Sequence, residues 1–261
     1  MYYGICASRE WREWRSKNPP FFNARVLIMK LCAVGMRKAI LRNDLNSARA
    51  RISHTNKTQY RVKFPTCICR FKQPLQWVIR AGEFDLTQKE NSEQNIRAEA
   101  IYVHSSYISA TNENDIALVY LEKPAQVNDT VDIICLPDEG DVQPGSSCAS
   151  AGWGFTPNLH HTSAPLRSQV VPVVSRQECN KFSSYGGLVK EGMICAGFEK
   201  GGKDNCYGDG GSPLMCQISQ GKWVVGGINS WGQGCGLPGK YSVYTFTEKY
   251  RHWINRHLQA N

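Results

Sequence analysis

The chain has 261 residues, 41% of them apolar, which suits one large all-β domain or two small ones and supports a real core. Its formal net charge of +9 is uneven: residues 1–75 hold 16 Lys+Arg against 3 Asp+Glu, and the remainder holds 15 against 19. Eleven cysteines, most of them away from metal-ligand spacings, argue against a reduced cytosolic protein and for disulfides in an oxidising compartment.

Residues 1–75 carry no internal repeat and no persistent periodicity. The charged run Arg9-Glu10-Trp11-Arg12-Glu13-Trp14-Arg15 follows the start directly, so no secretory signal is evident, and the mature protein is expected to begin elsewhere than at Met1. The apolar run of residues 26–36 is short and interrupted by Lys30, which fits neither a membrane span nor a signal core. Residues 36–50 place Ile40, Leu41, Leu45 and Ala48 at roughly helical spacing. The segment as a whole is either a solvated tail or a site for a polyanion such as a heparin-like glycan or anionic lipid, with no specific nucleic-acid recognition expected. Cys67-Ile68-Cys69 lacks the further Cys or His that a metal site needs, and neither a metal nor a cofactor is expected. The sequons Asn56-Lys57-Thr58 and Asn128-Asp129-Thr130 fit a secreted protein.

After Leu75 the texture changes to short strands with turn punctuation. Strands are predicted at residues 76–82, 95–104, 115–121, 149–153, 167–174, 193–196, 213–218, 222–228 and 241–245, with a turn at 82–85. The one clear helix is predicted over residues 247–258, with Tyr250, Trp253, Ile254 and His257 on one face. Many short strands with a closing helix argue for antiparallel barrels.

The stretch Asp204-Asn205-Cys206-Tyr207-Gly208-Asp209-Gly210-Gly211-Ser212-Pro213-Leu214 resembles the nucleophile loop of the trypsin/chymotrypsin-like serine protease family. Asn114-Asp115-Ile116-Ala117-Leu118, Gly152-Trp153-Gly154, Met193-Ile194-Cys195-Ala196-Gly197 and Ser230-Trp231-Gly232-Gln233-Gly234-Cys235 occur in that family's order. The resemblance covers residues 76–257 and implies an all-β fold: a double six-stranded antiparallel β-barrel with a C-terminal helix. Residues 1–75 do not match the family, so the first barrel of the protease domain at 76–261 is expected to be incomplete. The resemblance also implies the disulfides Cys148 with Cys216, Cys179 with Cys195 and Cys206 with Cys235. Cys135 then needs an upstream partner among Cys6, Cys32, Cys67 and Cys69.

The family's reaction uses a serine nucleophile, a histidine base and an aspartate that orients the imidazole. Asp115 matches the aspartate, and Gly210 stands where the resemblance places the serine. Ser212, two residues on, is an implausible substitute, because a displacement of even ~1 Å costs about 100-fold. No histidine upstream of Gly82 lies in a matching context; His54 has unrelated neighbours, and His104 fits a family histidine remote from catalysis. The binding framework survives as an expectation: Gly208 as an oxyanion-hole amide, Asp204 at the base of the primary specificity pocket, and Ser230, Trp231 and Gly232 on the strand that pairs with substrate. Ser242 replaces a glycine and is expected to intrude on that pocket. No Ile-Val-Gly-Gly activation terminus is present, which leaves Asp209 without its usual amine and its loops zymogen-like.

The loop is most like that of arthropod non-catalytic serine protease homologues. The resemblance implies a secreted pseudoenzyme, not an enzyme, that binds protein partners in a cascade such as prophenoloxidase activation in innate immunity. The rival readings are an active trypsin-like endopeptidase whose amino-terminal region is misassembled in this sequence, and a basic adaptor acting through residues 1–75.

Overall fold

The computed structural model describes residues 77–156, 163–218 and 222–259, together with the backbone of strands Tyr2–Tyr3, Val26–Met29 and Leu159–Thr162. The helix predicted at residues 36–50 and the Cys-x-Cys pair lie outside the described residues.

The elements follow in order as β1 (Tyr2–Tyr3), β2 (Val26–Met29), β3 (Val78–Ala81), β4 (Gln94–Val103), β5 (Ala117–Leu121), β6 (Ile133–Ile134), β7 (Ser147–Gly152), β8 (Phe155–Thr156) and β9 (Leu159–Thr162). Then come β10 (Arg167–Val174), α1 (Arg176–Cys179), β11 (Met193–Ala196), β12 (Pro213–Gln217), β13 (Trp223–Trp231), β14 (Ser242–Phe246), a 3-10 turn (Thr247–Tyr250) and α2 (Arg251–Gln259).

The carboxyl-terminal half closes into a six-stranded barrel in the order β10-β11-β14-β13-β12-β7. The barrel is antiparallel throughout, with a register shift between Leu214 and Met215 where β12 meets β13. Closure removes the free edges that an open sheet would present to other chains. The amino-terminal half is a four-stranded sheet in the order β2-β5-β4-β3. Its β5 is a continuous apolar run, and four of its five residues are buried, because it lies inside the sheet with core on both faces. β3 alternates exposed and buried residues, as a strand with one wet face should.

Part of the apolar run at residues 26–36 has a structural use that the sequence did not suggest. Val26–Met29 adds antiparallel to β5, with Leu27 opposite Val119.

One core is shared between the halves. Ile96, Leu118 and Leu121 of the amino-terminal sheet pack with Val225 and Ile228 of β13 and with Tyr250 and Ile254 at the carboxyl end. The C-terminal segment thus folds back across the chain and seals the sheet made by its earlier strands. The loops of the two halves are also joined: Trp153 Nε1 donates to the Phe84 carbonyl at 3.0 Å, and Leu166 N donates to the same oxygen at 2.8 Å.

Three disulfides close between Cys148 and Cys216, Cys179 and Cys195, and Cys206 and Cys235. Cys135 is disulfide-bonded as well.

Candidate functional site

The loop at residues 204–212 is built as two successive turns: Asp209 N donates to Cys206 O at 3.0 Å, and Ser212 N donates to Asp209 O at 2.9 Å. Gly208 and Gly211 sit at φ +101° and +90°, a region where a Cβ would clash with the backbone, so these two positions require glycine. Strand β13 clamps the loop, because Gly211 N donates to Asn229 O, Asn229 N donates to Ser212 O, and Asn229 Nδ2 donates to Asp209 O. The Cys206–Cys235 bridge ties the loop's start to the segment after β13, and Cys148–Cys216 ties β12 to β7.

Gly210 lies at the crest of this loop and brings no side chain. Among the described residues, neither its N–H nor that of Gly208 has an acceptor. Ser212 Oγ is buried and, among the described residues, has no hydrogen-bond partner to polarise it.

Asp209 turns its carboxylate inward. Oδ1 accepts from Gly154 N at 2.7 Å, and Oδ2 accepts from Cys206 N at 3.0 Å. A Cβ on Gly152 would lie 2.0 Å from Asp209 Oδ1, and one on Gly154 would lie 2.4 Å from Asp209 Cγ, so the two glycines flanking Trp153 form a cradle for this carboxylate. Burial pushes the Asp209 carboxyl above its ordinary value, opposed by the Cys206 and Gly154 amides and reinforced by Asp204. No cation pairs with it among the described residues.

Asp204, at the start of the loop, is held by three donors: Ser242 Oγ donates to its Oδ1 at 2.5 Å, Asn205 N to Oδ1 at 2.9 Å and Gly236 N to Oδ2 at 2.9 Å. Its carboxyl is also raised, by burial first, with these three bonds opposing. Ser242 therefore directs its hydroxyl onto the Asp204 carboxylate. Beside it lies Asn205, which no sequence motif singles out for a role. Its Oδ1 accepts from Ser150 and Gln169, and its Nδ2 donates to Tyr244.

Asp115 is wholly buried at the junction of the halves. Ser230 Oγ donates to its Oδ2 at 2.6 Å, and Thr245 Oγ1 donates to its carbonyl at 2.8 Å. The conformation feeding this residue is set by Asn114, at φ +56°, whose Oδ1 accepts from Tyr250 OH. Trp231 follows Ser230 and packs edge-on against Tyr185 at 4.9 Å between ring centroids, and Gly232 lies just past the end of β13. Asp115, Ser230 and the loop around Gly210 are thus linked through β13.

His104 points elsewhere. Its ring packs on Tyr250 and Trp253, with centroids at 5.6 and 5.1 Å, and its Nδ1 accepts from Ser106 N at 3.3 Å. His54 lies outside the described residues. No group of three or more His, Cys, Asp or Glu among the described residues is placed to hold a metal ion, and no helix among them is long and apolar enough to cross a membrane.

Residues 66–254 match the family model described as Trypsin. The chain belongs to the trypsin family. It is 38% identical over 187 residues to Trypsin-3 of Salmo salar, a match covering 70% of this chain and 74% of that one. It is 34% identical over 198 residues to Vitamin K-dependent protein C of Oryctolagus cuniculus, covering 72% of this chain and 43% of the relative. With Transmembrane protease serine 11E of Mus musculus it shares 38% identity over 189 residues, covering 72% and 44%. The chain thus spans less than half the length of two of these three trypsin-family relatives.

Proposed function

We propose that this chain is a non-catalytic, secreted member of the trypsin family that binds protein partners in an extracellular proteolytic cascade, with prophenoloxidase activation in innate immunity as the setting its loop resembles. The observation that carries this reading is in the loop, where Gly210 offers no nucleophile and the hydroxyl of Ser212, two residues on, is buried without a partner among the described residues. A template enzyme that loses a triad member retains only ~10³ to 10⁴-fold acceleration from its remaining groups. A pocket whose carboxylate is already engaged by Ser242 further weakens selection for Arg or Lys side chains. The disulfide-held loops support a rigid recognition surface, and the disulfides themselves accord with an extracellular setting. The basic segment at residues 1–75 offers a second attachment, to polyanions.

The rival, an active trypsin-like endopeptidase, is separated by exposing the full chain to a fluorophosphonate probe and an arginine chromogenic substrate. Absence of both signals supports the pseudoenzyme. Serine-dependent labelling ends that reading.

A further inference from the structure

The sequon Asn128-Asp129-Thr130 is not used by the loops around Gly210, and its geometry is that of a modification site. Asn128 opens a tight turn in which its N–H donates to Val131 O at 2.9 Å, so the four residues close as a hairpin tip. Asn128, Asp129 and Thr130 are all exposed, whereas Val131 beneath them is 1% exposed and anchors the turn in the core.

The two ends of the Asn128 amide have different duties. Its Oδ1 accepts from Thr130 N at 2.9 Å, from Thr130 Oγ1 at 3.0 Å and from Val131 N at 2.9 Å. Its Nδ2 makes no hydrogen bond among the described residues. The carbonyl holds the turn while the nitrogen is left to solvent. Gly82 leaves room for the Thr130 hydroxyl, since a Cβ there would lie 3.1 Å from Thr130 Oγ1.

We infer that Asn128 is a site of N-linked glycosylation. The reaction joins Asn128 Nδ2 to C1 of the terminal N-acetylhexosamine of a polyprenyl-diphosphate-linked oligosaccharide. The C1–O bond breaks, the polyprenyl diphosphate leaves with the bonding electrons, and one Nδ2 proton is released. The glycosylated amide keeps its Oδ1 and one N–H, so every hydrogen bond that holds the turn survives in the product. Asp129, unlike a proline, leaves the sequon permissive. A bulky glycan at this tip covers the exposed end of the Asn128–Val131 turn and adds a solubilising surface.

The inference rests on the secreted reading, and the test separates the two. The full chain is expressed in insect cells behind a secretion leader, and cell and medium fractions are collected. Tryptic peptides of the leader-driven form are treated with peptide:N-glycosidase and sequenced by mass spectrometry. The expected result is conversion of Asn128 to Asp in the released peptide, with a gel-mobility shift that Asn128→Gln and Thr130→Ala each reduce and Thr130→Ser preserves. An unmodified Asn128 peptide from the leader-driven protein overturns the site. Retention of the protein in the endoplasmic reticulum with Asn128 modified counts against the secreted reading and leaves the site standing.

Discussion

The hydroxyl of Ser242 donates to Asp204 at 2.5 Å, so the carboxylate that the proposed function assigns to a specificity pocket already has a side-chain partner. A guanidinium or amidine entering to meet Asp204 has to compete with Ser242 and with the amides of Asn205 and Gly236. Replacing Ser242 with glycine removes the competitor and opens the space. Ser242→Gly is therefore expected to bind p-aminobenzamidine about tenfold more tightly than the parent, a gain of about 1.4 kcal/mol, read by fluorescence titration.

Gly210 does not take a positive φ, so its backbone conformation is one open to serine. Gly210→Ser is expected to fold with an unchanged melting temperature and still fail to react with a fluorophosphonate, because a nucleophile without a base stays weak. Labelling of this variant would reveal a base supplied from residues 1–76.

The cradle around Asp209 has no room for a methyl group. With a Cβ at position 154 only 2.4 Å from Asp209 Cγ, Gly154→Ala has to push the carboxylate off two backbone amides. Urea denaturation should show a loss of about 1–3 kcal/mol, the range for overpacking. Gly145→Ala is a poor control because φ +90° strains it, whereas Ser147→Ala, at an exposed position, is better matched.

Ser230→Ala takes a donor from the buried Asp115 carboxylate. Hydrogen bonds to charged groups contribute about 1.5–3 kcal/mol, and the same variant should lose about that much in urea. A loss below half a kcal/mol would mean that other partners of Asp115 dominate.

Burial, and then the neighbouring His257, hold the His104 imidazole below its ordinary 6.5. In the window between the depressed folded value and 6.5, the unfolded chain binds more protons than the folded one. Stability contributed here is therefore complete above pH 6.5 and lost as pH falls through the folded value. His104→Phe keeps a ring against Tyr250 and Trp253 without the titration. Its melting temperature should fall less than the parent's between pH 7 and pH 5.

Where local chemistry and global packing agree, the sequence was readable to the residue. Strands β10 and β11 fall where alternation and apolar runs placed them, and the three disulfides follow the resemblance. The closing helix begins as a 3-10 turn, with Tyr250 and Ile254 buried on the anticipated face. The short α1 was missed, although Ser175 and Glu178 form a cap signal: Ser175 Oγ accepts from Glu178 N at 3.1 Å. Partners far apart in sequence were the least legible. Nothing near Val26 announces Val119, and nothing near Asn205 announces Ser150, Gln169 and Tyr244, because these are meetings of side chains or strands that only the closed fold brings together.

The packing of Ile254 against Leu118 and Ile96 also sets a timetable for synthesis. A ribosome delivers the strands of the amino-terminal sheet long before the helix that covers them. During that interval the apolar face of β5 has no lid, and it is then that the nascent chain most needs a chaperone. Truncation of the last dozen residues should therefore harm the first half of the protein more than the barrel from which they were cut.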